Sequence, residues 1–377
     1  MVEMKMPKKK VGGLAGVVVG DSAICTCGLE EQTLSYYGYQ IEDMAEHACF
    51  EEVAYLLLRG RLPNAKELEI YQTQLAAKRD LPTALKTVLE QIPSNANMMD
   101  VLRTAVSFLG NIEQESESYG ALEIADRLIA SLPSMLMYWY QFHQTGKRID
   151  LDTGETSTAA HFLRLLYGTK PSELQRRSID VSLILYAEHE FNASTFTVRT
   201  ITSTLPDFYS AICGGIGALR GPLHGGANEK ALDLILRFND PESADKGIMD
   251  ILEKKELIMG FGHRVYTSSD PRSPIIHSWA KKLADSVNNP NIMAVAERID
   301  SVMAREKNLF PNLDFYSAVA YHCADIPQDM FTPIFVFSRI TGWSAHLMEQ
   351  RAKNKLIRPN SNYTGPGVLP WLPMQQR

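Results

Sequence analysis

Apolar residues recur at helical spacing along most of the chain beyond its N-terminal segment. The stretch 64–79 begins with Asn64 and carries Glu67 three residues later, a pair that satisfies two backbone N–H groups at a helix start. The stretch 41–60 has the same apolar spacing and ends in Gly60, a typical helix stop. Each of these stretches is therefore predicted to be a helix.

Six further stretches show this spacing, whereas strand character is confined to the N-terminal part. The helical stretches are roughly 118–143, 174–189, 227–238, 274–286, 291–306 and 333–351. Strand character is limited to about 12–40, where apolar and polar residues alternate in LAGVVVGDSAICTCG (14–28). No internal repeat is found. The patterns predict a mainly α protein with a small N-terminal β segment.

Two Gly/Pro-rich stretches suggest where the helical chain divides into domains. They are 213–226 and 324–333, and they enclose a helical block. We expect a large helical domain interrupted by a smaller one, with a cleft and a hinge at the two crossings. The predicted boundaries give 1–221 and 328–377 to the large domain and 222–327 to the small domain.

Composition excludes several classes of partner. The chain has 377 residues, of which 45% are hydrophobic and 22% charged, as in a globular protein. Its net charge of −6 argues against binding to nucleic acid but permits an anionic small molecule held by local arginines. No apolar run approaches the length of a membrane span, about 18 residues.

The N-terminus and the cysteines indicate a cytoplasmic protein. Lys8, Lys9 and Lys10 precede an apolar run as in a secretion signal, but that run is short, rich in glycine and followed by Asp21. The five cysteines form no framework spacing, which suits a reducing compartment.

A zinc site is the alternative use of the cysteines. It would take Cys25, Cys27, His47 and Cys49 as ligands. On a helix, His47 and Cys49 point about 200° apart and cannot bind one ion together. We therefore expect buried thiols and no metal.

His224 stands in RGPLHGGANEK (220–230), between a proline-led turn and two glycines. An amphipathic run follows, so Gly225 and Gly226 are predicted to lie at a helix entrance. Backbone N–H groups at a helix start disfavour a charged imidazole. A neutral imidazole still donates a hydrogen bond, which is what polarising a carbonyl group requires.

Three other stretches combine polar residues in a similar way. In MGFGHRVYTSSDPRSP, Gly260 and Gly262 allow close approach of a ligand before His263. The stretch LYAEHEFNASTFTVR holds several polar residues but not the H-E-x-x-H spacing of a metalloprotease. In PNLDFYSA, Asp314 is a lone carboxylate among apolar side chains, which would raise its pKa toward that of a general base.

Each residue taken alone also has a structural interpretation. A single histidine is more often a hydrogen-bonded structural residue, and Asp314 alone suits a helix N-cap. Arg272, Arg339 and Arg358 taken singly are ordinary surface charges. The joint occurrence of the motifs, in one order and spacing, favours a functional interpretation.

In that order and spacing, the chain resembles the citrate synthase family over essentially its whole length. The motifs are GPLHGGAN, GFGHRVY followed by DPR, NLD, and SRITGW. Within the family it most resembles the 2-methylcitrate synthases, through LILYAEHEFNASTFTVR, EHACFEEVAYLL, FPNLDFYSAV and IRPNSNYTGP. The resemblance implies a two-domain helical fold and a homodimer.

The resemblance also implies an acyltransferase reaction. Propionyl-CoA would condense with oxaloacetate and water to give 2-methylcitrate and CoA, without a metal or other cofactor. Asp314 would remove the proton α to the thioester, and His224 would donate a hydrogen bond to the thioester oxygen. His263 would act as an acid on the ketone oxygen of oxaloacetate.

Further roles follow from the resemblance position by position. Oxaloacetate would be bound by His189, Arg272, Arg339 and Arg358, the last from the partner subunit. CoA would contact Leu257, Ile258, Met259, Gly260 and Phe261. Acyl selectivity or the orientation of the catalytic groups would involve Tyr186, Asn192, Ser194 and Leu313. Thr267 stands where related chains often carry a basic residue that contacts a CoA phosphate.

Three other functions stay open at this point. The nearest is a citrate synthase that uses acetyl-CoA, since one methylene is worth only about 1–3 kcal/mol in an apolar pocket. A metal-dependent hydrolase would use His224, His263 and Asp314 as ligands and would lose activity on chelation. A non-catalytic helical binding protein would tolerate replacement of Asp314.

Overall fold

The computed structural model describes residues 13–14, 16–28 and 33–377. Within them lie sixteen α-helices and one three-stranded antiparallel sheet, which confirms the mainly α prediction. The helices are α1 (Ile41–His47), α2 (Phe50–Arg59), α3 (Ala65–Ala77), α4 (Thr83–Gln91), α5 (Met98–Ile112), α6 (Ala121–Thr145), α7 (Thr158–Tyr167), α8 (Glu173–Tyr186), α9 (Ala193–Thr202), α10 (Phe208–Leu219), α11 (Ala227–Ile235), α12 (Pro241–Glu253), α13 (Ser273–Ser286), α14 (Pro290–Lys307), α15 (Leu313–Cys323) and α16 (Phe331–Ala352). None of these described helices is long and apolar enough to cross a membrane.

The small sheet consists of β1 (Cys25–Cys27), β2 (Leu34–Tyr36) and β3 (Tyr39–Gln40), joined in that order. Cys27 pairs with Leu34, and Ser35 with Gln40. The alternation at 14–28 predicted a longer strand, and this was wrong: of the described residues in that stretch, only 25–27 form a strand. Val18 is 88% exposed, so its apolar side chain packs against nothing that would hold a strand. Lys8, Lys9 and Lys10 lie outside the described residues.

The helix predicted over 41–60 is in fact two helices, broken at Ala48 and Cys49. The guanidinium of Arg177, from α8, binds the carbonyl oxygens of Ala45, Glu46 and Ala48 at 2.7–3.1 Å. Asp180, one turn further along α8, accepts the N–H of Phe50 at 3.0 Å. Because a distant helix satisfies the backbone groups at the break, local periodicity could not reveal it. The predicted stop at Gly60, which is left-handed, is confirmed.

Two long helices, α6 and α16, form the centre of the core. Residues 124–139 of α6 are all buried, as are nearly all residues of 331–347 in α16. A helix that is buried on every side must pack against neighbours all round. Helices α6, α8 and α9 surround α16, and the connection 187–192 between α8 and α9 crosses it. The domain boundaries at 222 and 327 stay a prediction.

This crossing requires a glycine at position 342 of α16. A Cβ there would lie 2.5 Å from the carbonyl oxygen of Ala187 and would also overlap Glu188 Oε2. We expect Gly342→Ala to destabilise the protein by about 2 kcal/mol or more. The added methyl group would overlap the Ala187 carbonyl and the buried Glu188 side chain, and neither can shift without disturbing the packing. The measurement is thermal or denaturant unfolding.

The matched control is Gly217→Ala in α10, where an added Cβ meets nothing within 4 Å. Alanine has the better helix propensity, so this variant should be stabilised by up to about 1 kcal/mol. Equal effects of the two substitutions would contradict the crossing as the cause.

Candidate active site

The motif residues lie on different elements. His189 is in the connection between α8 and α9, His224 precedes α11, and His263 lies between α12 and α13. Asp314 is in the first turn of α15, and Arg339 is in the middle of α16. The rings of His189 and His263 are 4.8 Å apart, and the charge of Arg272, which caps α13, acts on both of these histidines and on Asp314.

The geometry around His224 defines which ring nitrogen carries the proton. Its Nε2 lies 3.1 Å from the backbone N–H of Ser194 and 2.8 Å from Ser194 Oγ. A backbone N–H can only donate, so Nε2 accepts and the proton lies on Nδ1. Burial, with the positive charge of Arg339, lowers the pKa of His224 to about 4. His224 is therefore a neutral donor at neutral pH.

The helix start that acts on His224 is not the one expected from the sequence. Gly226 is the N-cap of α11, as the glycine pair predicted, but the N–H that meets the ring belongs to α9. Gly225 serves another purpose, since a Cβ there would overlap the carbonyl oxygen of Leu219. The prediction of a turn before α11 is thus confirmed. The prediction that the N–H groups of that helix start act on His224 was wrong, because the N–H group comes from α9.

Asn192 and Trp343 hold Ser194 in place. Asn192 is the N-cap of α9 and accepts the N–H of Thr195, and its Oδ1 is 2.9 Å from Ser194 Oγ. Trp343 Nε1 donates to Ser194 Oγ at 3.1 Å. The predicted orienting role of Asn192 and Ser194 agrees with these contacts and stays a proposal. Trp343 was missed because nothing in SRITGW marks it as a partner of Ser194.

His263 is fixed in the same way as His224 but with the opposite nitrogen. Its Nδ1 accepts the N–H of Val265 at 3.1 Å and lies 3.3 Å from that of Tyr266, so the proton is on Nε2. Burial and the charge of Arg272 lower the pKa of His263 to about 4, although Asp270 opposes them. Both histidines are thus neutral hydrogen-bond donors.

Asp314 is a partly buried carboxyl group with a short hydrogen bond. Its Oδ1 accepts from the hydroxyl of Tyr186 at 2.6 Å. Burial raises the pKa of Asp314, while the Tyr186 bond and the charges of Arg272 and Arg339 oppose the rise. The alternative of Asp314 as an N-cap is wrong, because Asn312 caps α15 and accepts the Asp314 N–H. The carboxylate is therefore not used in helix capping.

The two buried arginines differ in their partners. Arg272 is 5% exposed and holds Asp270 through Nε and Nη2 at 2.9 and 2.8 Å. Arg339 is 1% exposed and donates Nε–H to the carbonyl oxygen of Tyr186 at 2.8 Å. No ion pair of Arg339 occurs among the described residues. A buried cation without a carboxylate partner is costly unless an anion binds it.

Arg358 is not brought to this group within one chain. It lies in the exposed segment after α16 and bonds Asn360, while the neighbouring Asn354 and Ile357 bond Ser203 at the end of α9. The segment that follows exposes large apolar side chains, with Val368 fully exposed. Arg358 is therefore available to another molecule.

The loop 257–261 lies against the start of the helix that carries Asp314. Gly260 O accepts the N–H of Asn312 at 2.9 Å, and the ring of Phe261 is 4.6 Å from that of Phe315. At the outer end of the loop Leu257 is 81% exposed. Thr267, without a charge, is also exposed. The loop is thus packed against α15 at Gly260 and Phe261, whereas its apolar residue Leu257 is exposed to solvent.

Comparisons with known proteins agree with this arrangement. The family model "Citrate synthase, C-terminal domain" matches residues 13–360. A 2-methylcitrate synthase of Shewanella oneidensis is 50% identical over 99% of this chain and 100% of that protein. Citrate synthase 2 of Bacillus subtilis is 41% identical over 97% and 98%.

The chain belongs to the citrate synthase family.

A solved structure of the family extends the likeness to the fold. It is the ternary complex of carboxymethyl coenzyme A and oxaloacetate with citrate synthase from Thermoplasma acidophilum. The TM-score is 0.89 at 30% identity, over 97% of this chain and 98% of that one. The resemblance found in the sequence is therefore confirmed, both for the family and for its likeness to 2-methylcitrate synthases.

Sequence reasoning also missed Asp270. Its carboxylate holds Arg272 and accepts the N–H of Leu313 at 3.1 Å, which joins an arginine of the site to the start of the Asp314 helix. The D-P-R motif contained this signal, because an acid two residues before an arginine can bind it directly. For the zinc interpretation, no cluster of three potential ligands occurs among the described residues.

The proton balance of His224 predicts how stability depends on pH. Its pKa is about 4 in the folded protein and near 6.5 when unfolded, so between these values the unfolded chain binds more protons. Stability contributed by neutral His224 is present above about pH 6.5 and is lost as the pH falls toward 4. His224→Gln should therefore lose less Tm than wild type between about pH 7 and pH 5. Equal losses would contradict the neutral, buried state of the ring.

Proposed function

We propose that this enzyme condenses propionyl-CoA with oxaloacetate and water to give 2-methylcitrate and CoA. The observation that carries the proposal is one carboxylate base accompanied by two neutral histidines, each with a defined donor nitrogen. The similarity to a protein named 2-methylcitrate synthase supports the acyl group. No metal or other cofactor takes part in the proposed reaction.

The first step is removal of a proton from the carbon α to the thioester by Asp314. Burial raises the pKa of this carboxyl group, which makes its ionised form a stronger base. The α-proton is a very weak acid, so the developing enolate oxygen must be stabilised as it forms. The Nδ1–H of His224 supplies that hydrogen bond, while the Ser194 N–H on Nε2 prevents the ring from becoming charged.

The second step forms the carbon–carbon bond. The α-carbon attacks the ketone carbon of oxaloacetate, and the ketone oxygen becomes a hydroxyl. His263 donates through Nε2, since its Nδ1 is occupied by the Val265 N–H. Water then attacks the thioester carbon and returns a proton to His263. CoA leaves as the thiol with the proton that Asp314 had taken, and this hydrolysis makes the condensation effectively irreversible.

Oxaloacetate brings two carboxylates to a cationic pocket. Arg339 is buried and forms no ion pair with a carboxylate of the described residues, and its planar fork suits bidentate binding. Arg272, held in position by Asp270, and His189 provide further donors. We assign Arg358 to the pocket of the partner subunit, because Asn360 is the one hydrogen-bond partner that it has among the described residues of its own chain.

This assignment requires a homodimer, which we propose from the exposed segment after α16. The segment after α16 exposes Leu356, Tyr363, Val368, Leu369 and Trp371, each more than 60% accessible in the single chain. A second copy of the chain would cover these exposed apolar side chains.

All five cysteines are free thiols, which supports a cytoplasmic location.

The acyl chain and CoA would occupy the side of Asp314 away from the arginines. Tyr186 and Leu313 adjoin the base and are proposed to set acyl selectivity. Leu257, Ile258, Met259, Gly260 and Phe261 are proposed to contact CoA, with exposed Leu257 covered by its apolar parts. Closure of the predicted small domain, 222–327, over the bound substrates would exclude water.

The second candidate function is condensation of acetyl-CoA, favoured by the relative named citrate synthase 2.

Acyl selectivity tests the proposal directly. We expect kcat/KM for propionyl-CoA to exceed that for acetyl-CoA by about tenfold or more, the amount that one well-packed methylene can supply. The measurement is the release of free CoA thiol with oxaloacetate present. A preference for acetyl-CoA would establish the second candidate instead.

Activity should be unchanged after chelation, and loss of activity would favour the metal-dependent alternative.

Mixed dimers test Asp314 and Arg358 together. Asp314→Asn alone should lower kcat by about a hundredfold or more, because the base is lost, and Arg358→Gln alone should abolish productive oxaloacetate binding. If Arg358 acts on the partner's site, one intact site forms when the two variants pair. Random pairing should then restore about a quarter of wild-type activity. No restoration would place Arg358 in its own chain's site or outside the site.

A further inference from the structure

A phenol, an imidazole and a thiol meet beside the proposed oxaloacetate residues. The hydroxyl of Tyr266 lies 3.1 Å from His189 Nε2 and 3.5 Å from Cys27 Sγ. Cys27 Sγ is also 3.4 Å from His189 Nε2. The three side chains are all at least 92% buried, with exposed fractions of 3%, 6% and 8% for Tyr266, His189 and Cys27. They come from three separate parts of the chain.

Tyr266 contacts both histidines of the pocket. Its ring centroid is 4.7 Å from that of His263 and 5.4 Å from that of His189. Its backbone N–H lies 3.3 Å from His263 Nδ1, while its hydroxyl reaches His189. One residue therefore limits the orientation of two rings that are 4.8 Å apart.

The three groups form an uncharged cluster. Burial raises the pKa of Cys27 to about 11 and raises that of Tyr266 above its ordinary value, so both keep their protons at neutral pH. Burial and Arg272 lower the pKa of His189, which stays neutral. A carboxylate in this position would orient the ring equally well but would also neutralise the arginine needed for a dianionic substrate. A hydroxyl and a thiol avoid that competition.

The N-terminal sheet contacts the connection between α8 and α9, which carries His189. Tyr36, on β2, donates its hydroxyl hydrogen to the carbonyl oxygens of Ile184 and Glu188, at 3.1 and 3.0 Å. Cys27, on the paired strand β1, reaches the side chain of the next residue, His189. The sheet thus contacts both the backbone and the ring of the connection between α8 and α9.

We propose that Tyr266, supported by Cys27, is a positioning residue that fixes the imidazole of His189 for binding oxaloacetate. The proposal rests on the proposed function, since it assigns a purpose to the oxaloacetate pocket. Tyr266 acts through His189 and through the backbone contact to His263. Cys27 acts through both Tyr266 and His189, and so makes the N-terminal sheet a part of the pocket wall.

Tyr266→Phe removes the hydroxyl and keeps the ring. We expect KM for oxaloacetate to rise between about threefold and tenfold, the value of one hydrogen bond, while KM for the acyl-CoA changes less than about twofold. The rise in Tm on adding oxaloacetate alone should shrink in parallel. The matched control is Tyr138→Phe in α6, a buried tyrosine bonded to Glu90 at 2.6 Å, in which both KM values should be unchanged.

Substitutions of Cys27 separate positioning from packing. Serine keeps a hydrogen-bond donor and alanine does not, so Cys27→Ser should retain an oxaloacetate KM closer to wild type than Cys27→Ala. The same pair at Cys323, which is 5% exposed at the far end of α15, should show no such difference. Serine no better than alanine would refute the part assigned to Cys27.

The failure of this proposal is distinguishable from failure of the proposed function. An unchanged oxaloacetate KM in Tyr266→Phe, or equal changes in KM for both substrates, overturns the positioning role while wild-type condensation continues. If the wild-type protein condenses neither acyl-CoA with oxaloacetate, the proposed function itself is refuted. The oxaloacetate-induced Tm rise then still reports whether Tyr266 affects binding.

Discussion

Burial and nearby arginines keep two histidines neutral, and a backbone N–H group that points at one nitrogen of each ring fixes the position of its proton. Ser194 does this to His224, and Val265 does it to His263. Because these donors belong to the main chain, neither histidine can gain a second proton without breaking a hydrogen bond that the fold maintains. Each ring therefore offers one N–H in a known direction. The proposed chemistry depends on this constraint, since each histidine is proposed to donate a hydrogen bond from one defined nitrogen.

Elements packed against α16 position several of these groups. The connection between α8 and α9 crosses α16 at Gly342, so the start of α9, with Ser194, is set against Trp343. Tyr186, at the end of α8, donates to Asp314 through its hydroxyl and accepts from Arg339 through its carbonyl. One residue thus links the proposed base to a proposed oxaloacetate ligand. Both main-chain and side-chain groups therefore fix the positions of the proposed site residues.

Helical periodicity predicted α6, α8, α11, α13, α14 and α16 to within a few residues, because their buried faces recur regularly. It missed the break at Ala48, which depends on Arg177 more than a hundred residues away. The motifs located the turn before α11 but not the Ser194 N–H, which only the folded chain brings to His224. Tyr266 and Cys27 carried no local signal, since their partners are distant in sequence. Local rules therefore predicted the elements, and long-range contacts decided the site.

Arg339 has a consequence for the stability of the empty enzyme. Burial lowers the pKa of this guanidinium, and Glu188, whose carboxylate opposes that change, is already bound to His346 at 2.8 Å. The ligand-free fold thus retains an electrostatic cost, which the proposed binding of an anionic substrate to Arg339 would remove. In that binding mode oxaloacetate would act, by mass action, as a folding ligand as well as a reactant. The fraction of enzyme that resists unfolding, and with it the lifetime of the protein, then follows the supply of its own substrate.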